Sequence, residues 1–171
     1  EGGHAKLNSI YQMGLFPRNY PAIPEKYRGE QGAADMIKKV IGYILGLDID
    51  YYLTIDFSGF TKAVDTLGGI DVVVQKSFDD WQYPIEGKKD DTCGKVDGDL
   101  ETALLVATDS PELAFPCRFE HLHFDAGRQH MDGETALKFV RSRHSLEDGG
   151  DFARASRQQV FLEAMRAKVL S

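Results

Sequence analysis

Between Gln31 and Leu47 the apolar residues Met36, Ile37, Val40, Ile41, Ile44 and Leu45 recur at steps of three and four, the spacing of a helix with one apolar stripe. Gly46 is placed to end it. A shorter stretch, Lys6 to Met13, repeats the pattern with Leu7, Ile10 and Tyr11, meets a stop at Gly14, and leads into a proline-rich loop from Pro17 to Pro24. From Tyr51 the period changes to two. Tyr51, Leu53, Ile55 and Phe57 fall on one side, which predicts a β-strand with a buried face. Ser58 is the expected N-cap of the next helix, Gly59 to about Leu67, with Phe60, Ala63, Val64 and Leu67 toward the core and Gly68-Gly69 at the end. The nearly continuous apolar run from Ile70 to Val74 predicts a strand covered on both faces by helices.

Residues 76–127 break the pattern with charges, Pro84, Pro111 and Pro116, and read as an insertion. Beyond them Asp132 predicts the cap of a short helix whose core positions are Ala136, Leu137 and Val140. Arg141-Ser142-Arg143 leaves that helix in an extended conformation. After the turn Glu147-Asp148-Gly149-Gly150, Asp151 is the expected cap of a long final helix carrying Phe152, Phe161, Leu162, Met165 and Val169.

At 171 residues, 42% hydrophobic, the chain has the size and composition of one globular domain, long enough to bury roughly 70% of its unfolded surface. A net charge of −7 argues against sequence-independent nucleic-acid binding, which depends on many cations displacing counterions. The average hides an exception, because four of the nine arginines, Arg141, Arg143, Arg154 and Arg157, lie within 17 residues that contain no lysine. The longest apolar stretch, near Val40 to Leu47, falls far short of the roughly 20 residues that span a bilayer. Beginning at Glu1-Gly2-Gly3-His4 without a methionine, the sequence reads as a fragment whose anchor or targeting segment stands upstream. Two cysteines, Cys93 and Cys117, sit in loop-like surroundings. Either they form a disulfide, which would indicate an oxidising compartment, or they are two separate thiols. The absence of a CxxC or Cys/His cluster speaks against structural zinc.

The arginines carry the chemistry. In an extended backbone Arg141 and Arg143 project to the same side, while Arg154, Arg157 and Gln158, three and four residues apart, share a helical face. A helix start offers backbone donors and partial positive charge, and the planar guanidinium grips two phosphate oxygens at once. Asp151 could orient Arg143 or Arg154, or help to hold a metal. The competing reading is a solvated ion-pair network in which Glu147, Asp148 and Asp151 neutralise the arginines. Asp79-Asp80 is a weaker candidate for metal or acid-base chemistry.

Three segments resemble the LytR-CpsA-Psr family. Asp132-Gly133-Glu134-Thr135-Ala136-Leu137-Lys138-Phe139-Val140-Arg141-Ser142-Arg143, followed by Asp151-Phe152-Ala153-Arg154 and Arg157-Gln158-Gln159, is similar to its C-terminal signature. Tyr51-Tyr52, Asp56-Phe57, Gly59-Phe60, Val64-Asp65 and Leu67-Gly68-Gly69-Ile70-Asp71-Val72 resemble its central signature, and Lys6-Leu7-Asn8 with Tyr11 the segment before it.

The resemblance implies a single extracytoplasmic α/β (α+β) domain over residues 1–171, truncated at its N-terminus, with a central β-sheet packed between helices, a hydrophobic tunnel for a polyprenyl chain and an arginine-lined mouth. Arg141, Arg143, Arg154, Arg157 and Gln158 match the pyrophosphate-binding positions, Lys6 is a further contact, and Arg141, Arg143 and Asp151 are the expected catalytic residues. The implied activity is transfer of a glycopolymer phosphate, such as teichoic acid or capsule, from a polyprenyl-pyrophosphate carrier to peptidoglycan by a membrane-anchored parent protein. Hydrolysis of the same donor and non-catalytic binding of the lipid pyrophosphate are the alternatives. Mg2+ is the implied cofactor, with ligands upstream of Glu1, so these residues alone are expected to be catalytically incomplete. The extracytoplasmic setting implies that Cys93 and Cys117 are bonded, and no nucleic-acid partner is expected.

Overall fold

The computed structural model describes residues 6–145 and 149–170, and the chain divides into two compact units, Glu1–Thr54 and Ile55–Ser171. The first unit is built on helices α1 (Leu7–Leu15) and α2 (Gly29–Leu45), joined through a 3-10 turn at Glu25–Tyr27. Gly46 ends α2 as expected, in the left-handed conformation, with its N–H on the Gly42 carbonyl. Gly14 does not stop α1. It lies inside the helix, where a Cβ would stand 2.6 Å from the Ala33 Cβ, so its role is to let α1 and α2 approach closely. The closely packed part of α2 is accordingly Gly32, Ala33 and Ala34, while Ile44 and Leu45 of the predicted stripe are exposed. Residues 51–56 form no strand, and Tyr51, Leu53 and Ile55 are exposed. Alternation gives a strand only where a neighbouring strand accepts its hydrogen bonds, and none among the described residues does so here.

The second unit holds α3 (Phe57–Thr66), β1 (Ile70–Val74), β2 (Phe78–Pro84), α4 (Asp97–Val106), α5 (Pro111–Ala114), β3 (Phe119–Phe124), β4 (Gly127–Met131), α6 (Gly133–Arg141) and α7 (Gly150–Val169). The mixed α/β class stands, and the strands form two antiparallel pairs, β1 with β4 and β2 with β3. β1 is covered on one face only. Ile70, Val72 and Val74 are buried while Val73 is 58% exposed, so the apolar run conceals an ordinary alternation. Segment 76–127, read as irregular, supplies β2 and β3. Phe78, Tyr83, Leu122 and Phe124 from these strands join Val64, Val72, Met131, Phe139 and Phe161 in the main core. The rest of that segment folds around a small separate cluster, Ala103, Ala114 and Phe115, tied down by the Cys93–Cys117 disulfide, whose Cα atoms are 5.6 Å apart.

Asp132 caps α6 as expected, its carboxylate accepting from the Thr135 N–H at 2.8 Å, and Ala136 and Val140 are buried. The cap of α3 is Asp56 rather than Ser58. Asp56 keeps extended backbone angles and accepts from the Gly59 N–H at 2.6 Å, which starts the helix two residues early. α7 begins on Gly149, placing Asp151 inside its first turn rather than at the cap. Its inward row is Ala153, Arg157 and Phe161, with Met165 half-buried. Phe152, one of the apolar residues this helix carries, is 94% exposed, and Leu162 and Val169 are exposed as well. One arginine therefore stands in the inward row, between Ala153 and Phe161.

Candidate functional site: an arginine-lined cleft

The site lies in the second unit, where the chain leaves α6, and a β-bulge in β2 prepares it. Asp80 pairs with Leu122 but Tyr83 pairs with Glu120, so β2 carries one extra residue between these pairs. Strict alternation would put residues 80 and 83 on opposite faces, and the extra residue lets both point inward. Asp79, one residue earlier, faces out.

Asp80 is 1% exposed and organises the backbone that carries the arginines. Its Oδ2 accepts from the Ser142 hydroxyl at 2.6 Å and from the N–H groups of Arg143 and His144 at 3.1 and 3.2 Å, and its Oδ1 accepts from the Gln82 N–H at 2.9 Å. Burial alone would raise the Asp80 carboxyl, but the Ser142 hydroxyl and these backbone donors outweigh it and hold the group below the usual carboxylate range. The carboxylate expected as a possible metal or acid-base group is thus saturated by donors. It fixes where Arg143 begins.

Arg141 ends α6. Its guanidinium lies 4.0 Å over the Phe57 ring and donates to the Tyr83 hydroxyl at 3.3 Å. Because it is helical, the shared-side argument for Arg141 and Arg143 fails as stated, yet the turn at Ser142 brings both to the same cleft. From α7, Arg154 and Gln158 line the same space, the latter donating to the Val140 carbonyl at 3.3 Å. Asp151 joins the two sources, for its Oδ1 is 3.0 Å from Arg143 Nη2 and 3.0 Å from Arg154 Nη2. Gly149 lets α7 start against this turn, since a Cβ there would collide with the Ser145 carbonyl, and the Gly150 N–H bonds the Arg143 carbonyl at 2.7 Å. The resulting cleft has a volume of about 390 Å3 and is also lined by Phe57, Gln82, Tyr83 and His144.

Arg157 does not line that cleft. It is 5% exposed, lies 4.6 Å over the Phe78 ring and donates to the Ser142 carbonyl at 2.5 Å, clamping the turn from beneath. The reason is angular, because Arg157 lies on the row of Ala153 and Phe161, while Arg154 and Gln158 form the neighbouring row. Lys6, an exposed residue preceding α1, belongs to the first unit. Glu147 and Asp148, the other proposed neutralisers, lie outside the described residues.

Three guanidiniums thus line one cleft, and two of them share a single carboxylate oxygen. Partly exposed pairs of this kind contribute at most about 1 kcal/mol, and among the described residues the three arginines outnumber Asp80 and Asp151, which leaves a cationic excess suited to a phosphate. Sequence reasoning missed Phe57, assigned to a strand, and Tyr83, which gave no signal at all. Among the described residues, the carboxylates at and beside the cleft do not make a magnesium site. Asp80 is filled by four donors, Asp151 by two arginines, and Asp79 holds His121 at 2.6 Å and His123 at 2.9 Å. The ligand-type cluster Asp91, Cys93 and Cys117 has both sulfurs in the disulfide and lacks the oxygen set that magnesium requires.

The sequence pattern of the LytR_cpsA_psr family matches residues 1–171. The chain is similar to the polyisoprenyl-teichoic acid–peptidoglycan teichoic acid transferase TagV of Bacillus subtilis, 28% identical over 135 residues, covering 79% of this chain and 26% of the relative. It is also similar to the transferase TagU of Bacillus cereus, 27% identical over 170 residues, covering 95% of this chain and 43% of the relative. The crystal structure of B. subtilis TagV superimposes with a TM-score of 0.55 at 25% identity, covering 98% of this chain and 43% of that one. The chain therefore spans less than half the length of these relatives.

Proposed function

Since the chain belongs to the LytR-CpsA-Psr family, we propose that its arginine cleft receives the phosphates of a polyisoprenyl-pyrophosphate-linked glycopolymer, and that the protein transfers the glycopolymer phosphate to peptidoglycan at the cell envelope. The observation that carries this reading is the convergence of Arg141, Arg143 and Arg154 with Gln158 on one cleft, with Arg143 and Arg154 sharing Asp151. In such a transfer an acceptor hydroxyl oxygen bonds to the phosphorus that carries the glycopolymer. The bond from that phosphorus to the bridging oxygen breaks, polyisoprenyl phosphate leaves, and the hydroxyl proton passes to solvent. Charge develops on the bridging and non-bridging oxygens, where fixed guanidiniums stabilise it most. Arg141 and Arg143 take that catalytic part, Arg154 and Gln158 hold the second phosphate, and Asp151 is a positioning residue that fixes two of the guanidiniums. Arg157 supports the site from below, and no step is routed through a metal.

Among the described residues no helix is long and apolar enough to cross a membrane.

The test is binding of a short polyprenyl pyrophosphate to the protein and its Arg154→Lys variant. Lysine keeps the charge and loses the two-pronged grip, so affinity is expected to fall about ten-fold, roughly 1.4 kcal/mol, with folding unchanged. Equal affinity would refute the assignment. Glycopolymer released to water but never joined to a wall acceptor would replace transfer with hydrolysis.

A further inference from the structure

A second groove, of about 520 Å3, opens beside the arginine cleft in the same unit and shares Phe57, Tyr83, Pro84 and Arg141 with it. Its character differs. Three carboxylates, Glu86, Glu120 and Glu134, line it against two cations, Lys138 and Arg141. Lys138 Nζ is 2.7 Å from Glu120 Oε1 and 2.9 Å from Glu134 Oε1, so one lysine holds both of these groove-lining glutamates in place. Phe57, 53% exposed, together with Pro84 and Ile85 gives the groove an apolar patch, and Ser58 and Thr61 add hydroxyls.

This balance disfavours a second phosphate, because the carboxylates outnumber the cations and would repel it. It suits a neutral polyhydroxyl ring, whose hydroxyls donate to carboxylates while its C–H face lies on aromatic and aliphatic carbon. Position gives the groove a meaning. Phosphoryl transfer requires the nucleophile to approach roughly in line with the leaving oxygen, so an acceptor site must open onto the donor's phosphorus. The two spaces meet at Arg141, whose guanidinium lies over Phe57 and reaches Tyr83 on their common wall.

We propose that the groove bounded by Phe57, Ile85, Glu86, Glu120 and Glu134 is the acceptor subsite, which holds a neutral sugar of the wall glycan and presents its hydroxyl to a phosphate bound at Arg141; this rests on the donor reading above. Glu86 is the residue to change, since it is exposed and stands apart from the Lys138 pairs.

The experiment uses the intact protein and the double variant Ile85→Ser with Glu86→Gln, with three readouts: affinity for polyprenyl pyrophosphate, equilibrium binding of a neutral N-acetylglucosamine disaccharide, and the acceptor KM of transfer. The expected result is unchanged lipid affinity, with disaccharide binding weakened and the acceptor KM raised by about ten-fold or more, the range for losing one charge-assisted hydrogen bond and some apolar contact. Unchanged disaccharide binding overturns the proposal. So does a parallel loss of lipid affinity, which would assign the groove to the donor or its tail. Failure of the wild-type protein to bind the disaccharide at millimolar concentration overturns it as well, whereas loss of the donor reading would show instead as wild-type protein that binds disaccharide but no lipid pyrophosphate.

Discussion

Replacing Asp80 by Asn isolates the group that shapes the cleft without touching the arginines. The carboxylate accepts four hydrogen bonds, three on Oδ2 and one on Oδ1. Asparagine has a single oxygen. If that oxygen takes the three donors from Ser142, Arg143 and His144, the amide NH2 faces the Gln82 N–H, donor against donor. A buried donor left unsatisfied costs about 1–3 kcal/mol. Exchanging a charged acceptor for a neutral one weakens the other three bonds, an effect partly offset because the neutral side chain no longer bears the desolvation cost of a buried charge. The expected loss is about 3 kcal/mol, which for a unit of this size lowers the melting temperature by roughly 10 °C.

The pH dependence sharpens this test. Asp80 is held below the usual carboxylate value, near 3.9, so its contribution is fully present above about pH 4 and is lost as the pH falls through its lower folded-state value. Thermal unfolding followed by circular dichroism from pH 7 to pH 3 should therefore show the gap between wild type and variant narrowing at the acid end. Affinity for polyprenyl pyrophosphate should fall with it, because the Arg143 N–H loses its anchor. An unchanged melting temperature at pH 7, or a gap as wide at pH 3 as at pH 7, would refute the reasoning.

Arg157→Lys should act on stability more than on affinity, costing about 2 kcal/mol in urea unfolding, because lysine cannot both lie flat over Phe78 and fork toward the Ser142 carbonyl; loss of lipid binding at full stability would return Arg157 to the cleft. Reducing the Cys93–Cys117 bond should expose residues 93–117 to proteolysis while the main core holds, since the bond ties down only the small Ala103, Ala114 and Phe115 cluster; global unfolding in mild reductant would contradict that. Asp79, and after it Asp125, raises the His123 imidazole, so Asp79→Asn should lower the pH of its NMR titration midpoint. By the same sign, the Asp79–His123 interaction favours folding below the ordinary histidine pKa and fades as the pH rises through the raised one, and an unmoved midpoint in the variant would show that this contact is absent in solution.

Local patterns gave the sequence its legible part. The caps and periodicities around Asp132, Gly46 and Val64 act through atoms a few residues apart, so they survive in one dimension, and the clustering of Arg141, Arg143, Arg154 and Gln158 identified the components of the cleft for the same reason. What required the tertiary structure was every choice between two locally acceptable faces. Alternation at Tyr51–Phe57 lacked a partner strand, β1 was covered on one side, and Gly14 answered to Ala33 rather than to its own helix end. Arg157 shows the limit most clearly. Three- and four-residue spacing places it beside Arg154 and Gln158, and only the position of Phe78 and the Ser142 carbonyl turns it inward. The Asp79-Asp80 pair divides in the same way, one carboxylate facing two histidines and the other building the arginine turn, because a strand sends neighbours to opposite faces and a bulge then decides which later residue shares the inner one. Sequence spacing states which side chains can act together, whereas the energy of burying a charge or meeting a donor depends on atoms far away along the chain, and these come within reach only when the chain has folded.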